Sequence, residues 1–218
     1  TNYDDLYADI LLWLQKGWID YVVPQLYWER GHKLADYDVL LNWWNDYAYG
    51  KHLYIGHGIY RGGTNDAWKS TNQIPDQINL LRSFKTTQGS VFYNSSTFAK
   101  NPNGWNDSLQ NNYYKYPALV PPMPWLDDTA PDAPTIQKKN AASYVVNYNG
   151  KEKIKSFGVF TCAIGVKANI KNAQLVKIIV STKTSILDIA SIAHKKDEKL
   201  FIAAVDLNNN VSTLVELN

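Results

Sequence analysis

An α/β domain followed by an all-β sandwich is the fold class this sequence predicts. Two observations carry it. Helix-type and strand-type hydrophobic periods alternate up to about residue 125, and short strand-like runs replace them from Ala130 onward. A third supports them: the chemistry changes with the pattern. Thr1 to Asp128 holds 10 Lys+Arg against 13 Asp+Glu, whereas Thr129 to Asn218 holds 12 against 7. All 8 Trp and 13 of the 15 Tyr precede residue 129. Two domains follow from this contrast, 1–128 and 129–218.

The elements can be justified in order. Residues 3–16 place Leu6, Ile10, Trp13 and Leu14 at helical spacing, with Gly17 as the stop. Ile19–Trp28 is a nearly continuous apolar run, the pattern of a strand covered on both faces. Asp36–Tyr47 is helical, with Leu40, Leu41, Trp43 and Trp44 and an end near Gly50. His52–Tyr60 reads as a strand, Ile74–Phe84 as a helix, Gly89–Asn94 as a strand, and Asn106–Tyr114 as a last helix. This is the rhythm of parallel βα units. Three such strands cannot close a barrel, and a whole (β/α)8 barrel takes about 250 residues. The opening at Thr1, inside an amphipathic pattern and without an initiator Met or signal peptide, points to a processed or excised piece. The first domain is therefore either a small open α/β domain or the C-terminal half of a TIM-type barrel, and the abrupt start favours the second.

Pro131-Asp132-Ala133-Pro134 reads as a linker, since two prolines continue neither a helix nor a central strand. Strand-like runs follow at Ser143–Tyr148, Lys155–Cys162, Leu175–Ser181, Ile186–Ile192, Leu200–Leu207 and Val211–Leu217. Runs at this spacing form a β-sandwich.

Composition excludes several classes. With 45% hydrophobic and 19% charged residues the chain is not broadly disordered. No run of about 18 apolar residues is present, so no transmembrane helix is expected. The one cysteine, Cys162, excludes an internal disulfide and reads as a buried thiol. Gly56, Gly58, Gly62 and Gly63 lack the spacing of a phosphate-binding loop, and no cofactor is implied. Lysines of the second half fall in turns and at strand edges, and that half has no Arg, which argues against nucleic acid.

In parallel α/β folds, ligands gather at the carboxyl ends of the strands. Those ends carry Pro24–His32, His57–Gly63 and Tyr93–Ser96. They combine aromatic faces, amides, a carboxylate and a guanidinium. A sugar ring needs that set: its C–H face stacks on Trp or Tyr, and its hydroxyls take planar hydrogen-bond partners. Gln25, Tyr27, Trp28, His57, Tyr60, Arg61 and Asn94 are the substrate-binding candidates, with pure packing as the alternative for Tyr27, Trp28 and Tyr60. Glu29 is the only acid in these clusters. It is either one of the two carboxylates that glycoside hydrolysis uses, or it shapes the site as a salt-bridge partner of Arg30 or Arg61 or as a hydrogen-bond partner of the substrate. Asp66 is a weaker acid candidate, and Asp127 and Asp128 read as a solvated exit beside the linker. His57 is either an acid/base or ligand-orienting group, or a hydrogen-bonded histidine of the barrel mouth. His32, His57 and Glu29 lack the tight spacing of a metal set, and no metal is expected.

The runs Gly17–Glu29, Leu53–Arg61, Asn101–Leu109 and Tyr116–Trp125 together resemble the end of the barrel domain of bacterial glycosyl hydrolase-like family ten. The resemblance covers about residues 1–127. It implies a (β/α)8 barrel acting on bacterial glycans, including peptidoglycan strands stripped of their peptides. It also implies an exported or lipid-anchored protein of the periplasm or cell surface. The family's aspartate pair after His-Phe, its best candidate for the main acid, has no match in this chain. Glu29 is then a substrate-cleft residue and at most a catalytic partner, and the chain alone is expected to be inactive. Ser143–Val146 and Phe201–Ser212 resemble strands of a fibronectin type III domain, an immunoglobulin-like sandwich used as spacer or docking surface.

The leading expectation is part of an exported glycoside hydrolase whose partner is a polysaccharide or peptidoglycan glycan strand. Alternatives are a non-catalytic glycan-binding protein, or a structural or adhesion role carried by the sandwich. Open edges of three parallel strands also lead us to expect self-association.

Overall fold

The computed structural model describes residues 2–217. It divides into two compact units, Thr1–Lys115 and Tyr116–Asn218. No helix among the described residues is long and apolar enough to cross a membrane.

The first unit is mixed α/β. It opens with two short helices, α1 (Asn2–Leu6) and α2 (Ile10–Gln15), where the periodicity predicts one. The break has a local cause. Asp9 caps α2 by accepting the Leu12 N–H at 3.0 Å, and Tyr7 takes a left-handed φ of +52°. A capping Asx side chain offers the backbone an alternative to continuing the helix.

Strand β1 is only Tyr21–Val22, shorter than the apolar run suggests. Pro24 has no N–H to give a ladder, and pairing resumes as a single bridge from Gln25 to Gly56. Helix α3 (Tyr37–Asp46) matches its predicted span, with Asp36 as N-cap accepting from Asp38 N at 3.0 Å. Strand β2 (His52–Gly58) ends in a 3₁₀ turn, Ile59–Arg61. Helices α4 (Asp66–Lys69) and α5 (Gln73–Leu81) lead to β3 (Thr87–Tyr93). Helix α6 (Ser95–Ala99) follows, and α7 (Trp105–Ser108) runs on into a π-turn, Leu109–Tyr113.

The sheet has the order β1-β2-β3 and is parallel throughout. Strand alternation gives its faces different partners. Leu53 and Ile55 join Leu41, Trp68, Ile74, Ile78 and Trp105 in the helix-covered core. Tyr54, Gly56 and Gly58 take the other parity.

The second unit holds two antiparallel sheets, among the described residues. One joins β4 (Thr135–Asn140), β5 (Ser143–Asn147) and β8 (Thr184–Asp188) in the order β4-β5-β8. The other orders β10 (Val215–Glu216), β9 (Glu198–Asp206), β6 (Ile154–Ala163) and β7 (Gln174–Val180) as β10-β9-β6-β7. Both feed one core, through Tyr144, Val146 and Leu187 on one side and Phe157, Val159, Ile202 and Ala204 on the other.

Strands β6 and β9 are buried on both faces, which explains their unbroken apolar runs. On the far face, Phe160, Cys162, Leu175, Phe201 and Ala203 form a second cluster, against which Leu119, Val211 and Leu214 pack. Cys162 is a buried free thiol. The proline-rich stretch around Leu119 therefore packs within this unit. Pro131 and Pro134 are buried as well, so 131–134 is a packed segment and not a free linker. Asp127 stays solvent-accessible beside it, with its Oδ2 accepting from Asn208 Nδ2 at 3.0 Å and its carbonyl from Asn210 Nδ2 at 3.2 Å.

Candidate functional site

Three loops leave the carboxyl ends of β1, β2 and β3 and carry the side chains singled out above. Tyr27, Tyr60 and Tyr93 form a ring cluster, one from each loop. Tyr27 stacks on Tyr93 at 6.0 Å between centroids, and Tyr60 meets Tyr27 edge-on at 5.8 Å and Tyr93 at 6.0 Å. Tyr60 and Tyr93 keep 41% and 54% of their surface exposed, so the cluster offers ring faces to a ligand. Burial, then the neighbouring Tyr60 and Tyr93, push the Tyr27 hydroxyl up, so it stays a hydrogen-bond donor. Tyr93 is a member that strand-end reasoning on Tyr27, Trp28 and Tyr60 passes over.

Two glycines make this packing possible. A Cβ on Gly58 would come within 3.0 Å of Tyr27 Cβ, and one on Gly56 within 3.1 Å of the Pro24 carbonyl. A side chain there would force the Tyr27 loop to give way by a few tenths of an ångström.

Glu29 is half-buried and pairs with neither Arg30 nor Arg61. Its Oε2 accepts from Trp68 Nε1 at 2.9 Å and its Oε1 from Asn65 Nδ2 at 3.3 Å. Arg30 turns instead to Asp38, with Nε–Oδ1 and Nη2–Oδ2 both at 2.8 Å. Burial pushes the Glu29 carboxyl up. Its own backbone N–H, Trp68, the nearby His32 and Asn65 together outweigh that and leave it below its ordinary value.

His57 lies on the helix-covered face with Leu53 and Ile55, and it is fully buried. Its Nδ1 lies 2.9 Å from Gln77 Oε1 and its Nε2 3.1 Å from Ser90 Oγ. Its ring is stacked between Tyr37 and Phe92. Burial lowers its pKa to about 4, partly offset by Gln77. The substrate-binding expectation for His57 is thus corrected by strand parity. Leu53, Ile55 and His57 share a face, and that face is packed by helices.

The remaining candidates divide. Trp28 is partly exposed, with its carbonyl accepting from Gln77 Nε2 at 3.2 Å. With exposed Gln25 it lines a groove of about 650 Å³ beside β1, together with Val22, Leu26 and Trp44. Arg61 is half-buried and its Nε finds no hydrogen-bond partner among the described residues. Asn94 caps α6, its Oδ1 accepting from Thr97 N at 3.0 Å and Ser96 Oγ at 2.6 Å. Asp66 pairs on the surface with Lys69. His32 Nδ1 accepts from Leu34 and Ala35 N–H in a turn, so His32, His57 and Glu29 are not gathered. No group of three or more His, Cys, Asp or Glu among the described residues is placed to hold a metal ion.

These loops sit on a stretch with known relatives. Residues 1–76 match the family model of glycosyl hydrolase-like 10. The glycosyl hydrolase YngK of Bacillus subtilis (strain 168) is 45% identical over 141 residues, which is 63% of this chain and 28% of that protein. The glycosyl hydrolase DigH of Escherichia coli (strain K12) is 32% identical over 100 residues, 42% of this chain and 23% of its own length. The chain thus spans about a quarter of the length of these curated relatives. It is a glycoside hydrolase-related protein. Among solved structures, the glycoside hydrolase domain of Endo-D from Streptococcus pneumoniae R6 is similar at 20% identity and a TM-score of 0.25, covering 42% of this chain and 15% of that one. OgpA from Akkermansia muciniphila reaches a TM-score of 0.33 at 9% identity, over 83% of this chain and 67% of that one. Scores this low carry nothing about a shared fold.

Proposed function

We propose that the chain is part of an exported bacterial glycoside hydrolase acting on cell-wall or related polysaccharide, peptidoglycan glycan strands included. On this reading the first unit is the C-terminal part of a (β/α)8 barrel and contributes one wall of its sugar cleft. The second unit is a fibronectin type III-like spacer or docking module, supported by its sheets of three and four antiparallel strands. Function is exerted in the periplasm or at the cell surface.

One observation carries the reading. The carboxyl ends of three parallel strands present a cluster of three tyrosines, two of them well exposed, and Tyr27 and Tyr60 of that cluster lie within residues 1–76, which match a glycosyl hydrolase-like family. Ligands of parallel α/β domains bind at that end, and exposed aromatic rings suit the apolar face of a sugar. Glu29 is the acid of these loops, and a glycosidase needs two. Asp66, the other acid candidate, is a fully exposed partner of Lys69, so this reading puts the second outside this chain, and the chain alone binds without cleaving.

A non-catalytic glycan-binding role has a specific observation in its favour. Both oxygens of Glu29 are already engaged by Asn65 and Trp68. The outer edges of β1 and β3 carry no strand partner among the described residues, and the groove beside β1 is largely apolar. Self-association through these edges is part of the proposal.

The test is calorimetric titration of this chain with N-acetylglucosamine oligosaccharides and with peptide-free glycan strands. Tyr60→Ala and Tyr93→Ala should each weaken binding roughly tenfold, or about 1.4 kcal/mol. Equal affinity in both variants and the parent chain would overturn the proposed site.

A further inference from the structure

Trp68 is fully buried and fixed from several sides. Its ring meets Trp105 edge-on at 6.1 Å, and its carbonyl accepts from Gly63 N at 2.9 Å and Asn103 Nδ2 at 2.7 Å. The only polar atom of its side chain, the Nε1–H, donates to Glu29 Oε2 at 2.9 Å. Asn65 belongs to the same turn. Its Oδ1 caps α4 by accepting Trp68 N at 2.9 Å, while its Nδ2 donates to Glu29 Oε1 at 3.3 Å. From the other side, the Glu29 carbonyl accepts the N–H of His32 at 3.3 Å and of Tyr37 at 3.4 Å.

Each carboxyl oxygen therefore faces an N–H donor. The indole N–H and the amide N–H can only donate, so neither accepts from a protonated Glu29, and protonation takes the charge out of both bonds. Two charge-assisted bonds would be weakened, and a buried indole N–H left poorly satisfied. A carboxylate has about four lone-pair sites. Trp68 and Asn65 take one each and the backbone N–H of Glu29 itself is a further donor, which leaves the remainder for a ligand.

We infer that Trp68 and Asn65 are positioning residues that hold Glu29 as an anion, so that Glu29 meets a glycan as a fixed charge and hydrogen-bond acceptor and not as a proton donor. The inference rests on the glycan reading of the site for its ligand, but not for the holding itself. It assigns the proton-donating role in any cleavage to a different residue. It also names what the carboxylate selects: sugar hydroxyls, amide N–H groups or an ammonium.

The test is a carboxyl-carbon NMR titration of Glu29 in this chain, in Trp68→Phe and in Asn65→Ser, paired with a pH series of N-acetylglucosamine tetrasaccharide binding. Serine at 65 keeps an N-cap oxygen and removes the amide donor, so it reports even if Trp68→Phe fails to fold. The expected result is a Glu29 midpoint below the ordinary glutamate range that rises in both variants. Tetrasaccharide binding should fall as pH drops through that midpoint, and the fall should move with it. A Glu29 midpoint unchanged in both variants overturns the inference. Moving midpoints with no tetrasaccharide binding at any pH support the holding and overturn the glycan reading instead.

Discussion

Burying a neutral histidine makes the first unit sensitive to mild acid, and the size of the effect can be worked out. Burial lowers the His57 pKa in the folded chain to about 4 from its ordinary value of 6.5. Its folded-state pKa is lowered, so between those values the unfolded chain binds a proton that the folded chain refuses. Stability then rises with pH across the window and is lost as pH falls through it. At 1.36 kcal/mol per pH unit, about 2 kcal/mol is lost by pH 5 and about 3 kcal/mol by pH 4. That is a large share of the 5–15 kcal/mol by which domains are usually stable. Urea unfolding at pH 7, 6, 5 and 4.5 measures it. Tryptophan emission suits the purpose, because seven of the eight Trp lie in the first unit. Carboxylates titrate in the same range, so His57→Gln is the control that isolates one group. It should be less stable at pH 7 and should lose less on acidification. Parallel pH dependence in the two chains would refute the reasoning.

Other predictions follow from packing. Gly58→Ala brings a Cβ within 3.0 Å of Tyr27 Cβ, so it should cost about 1–3 kcal/mol and weaken oligosaccharide binding in the same titration. Asp36→Ala removes the cap of α3 and the acceptor for Gly31 N–H, and urea unfolding should show a loss of about 1 kcal/mol. Phe160, 1% exposed in the second cluster, should cost about 3–5 kcal/mol as Phe160→Ala. Residues 116–218 should unfold at a higher temperature in calorimetry than residues 129–218, since the shorter piece loses Leu119 from that cluster. Equal melting temperatures would contradict the placement of 116–128 in the second unit.

Much of the framework was legible because local signals agreed with the fold. Helix α3 falls where the spacing of Leu40, Leu41 and Trp44 puts it, and Asp36 is the cap at its start. Strand β2 is a long apolar run and is buried along most of its length. Local competition hid other elements. Asp9 splits the first helix, and Pro24 interrupts the first strand after two residues. Strand β4 was missed because an edge strand can be polar: in Thr135–Asn140 only Ile136 turns inward, and Lys138 and Lys139 guard the edge.

The site was legible in type and not in wiring. Aromatic and amide residues do collect at the strand ends. The donors to Glu29 lie 36 and 39 residues away in a short helix that no period announces. A neighbouring Arg30 looked the natural partner by proximity in sequence, but Asp38 on the first turn of α3 takes it. Strand parity alone could have placed His57, since it alternates with Leu53 and Ile55 onto the helix-covered face.

The central claim is that these strand ends belong to a glycan-cleaving site in which Glu29 acts as an anion. Reducing-end release from peptide-free peptidoglycan strands tests it most directly. The comparison is between this chain, a form extended to the length of its relatives, and the extended form carrying Glu29→Gln. The account predicts no release by this chain, release by the extended form, and its loss in Glu29→Gln. Undiminished release by Glu29→Gln would contradict it.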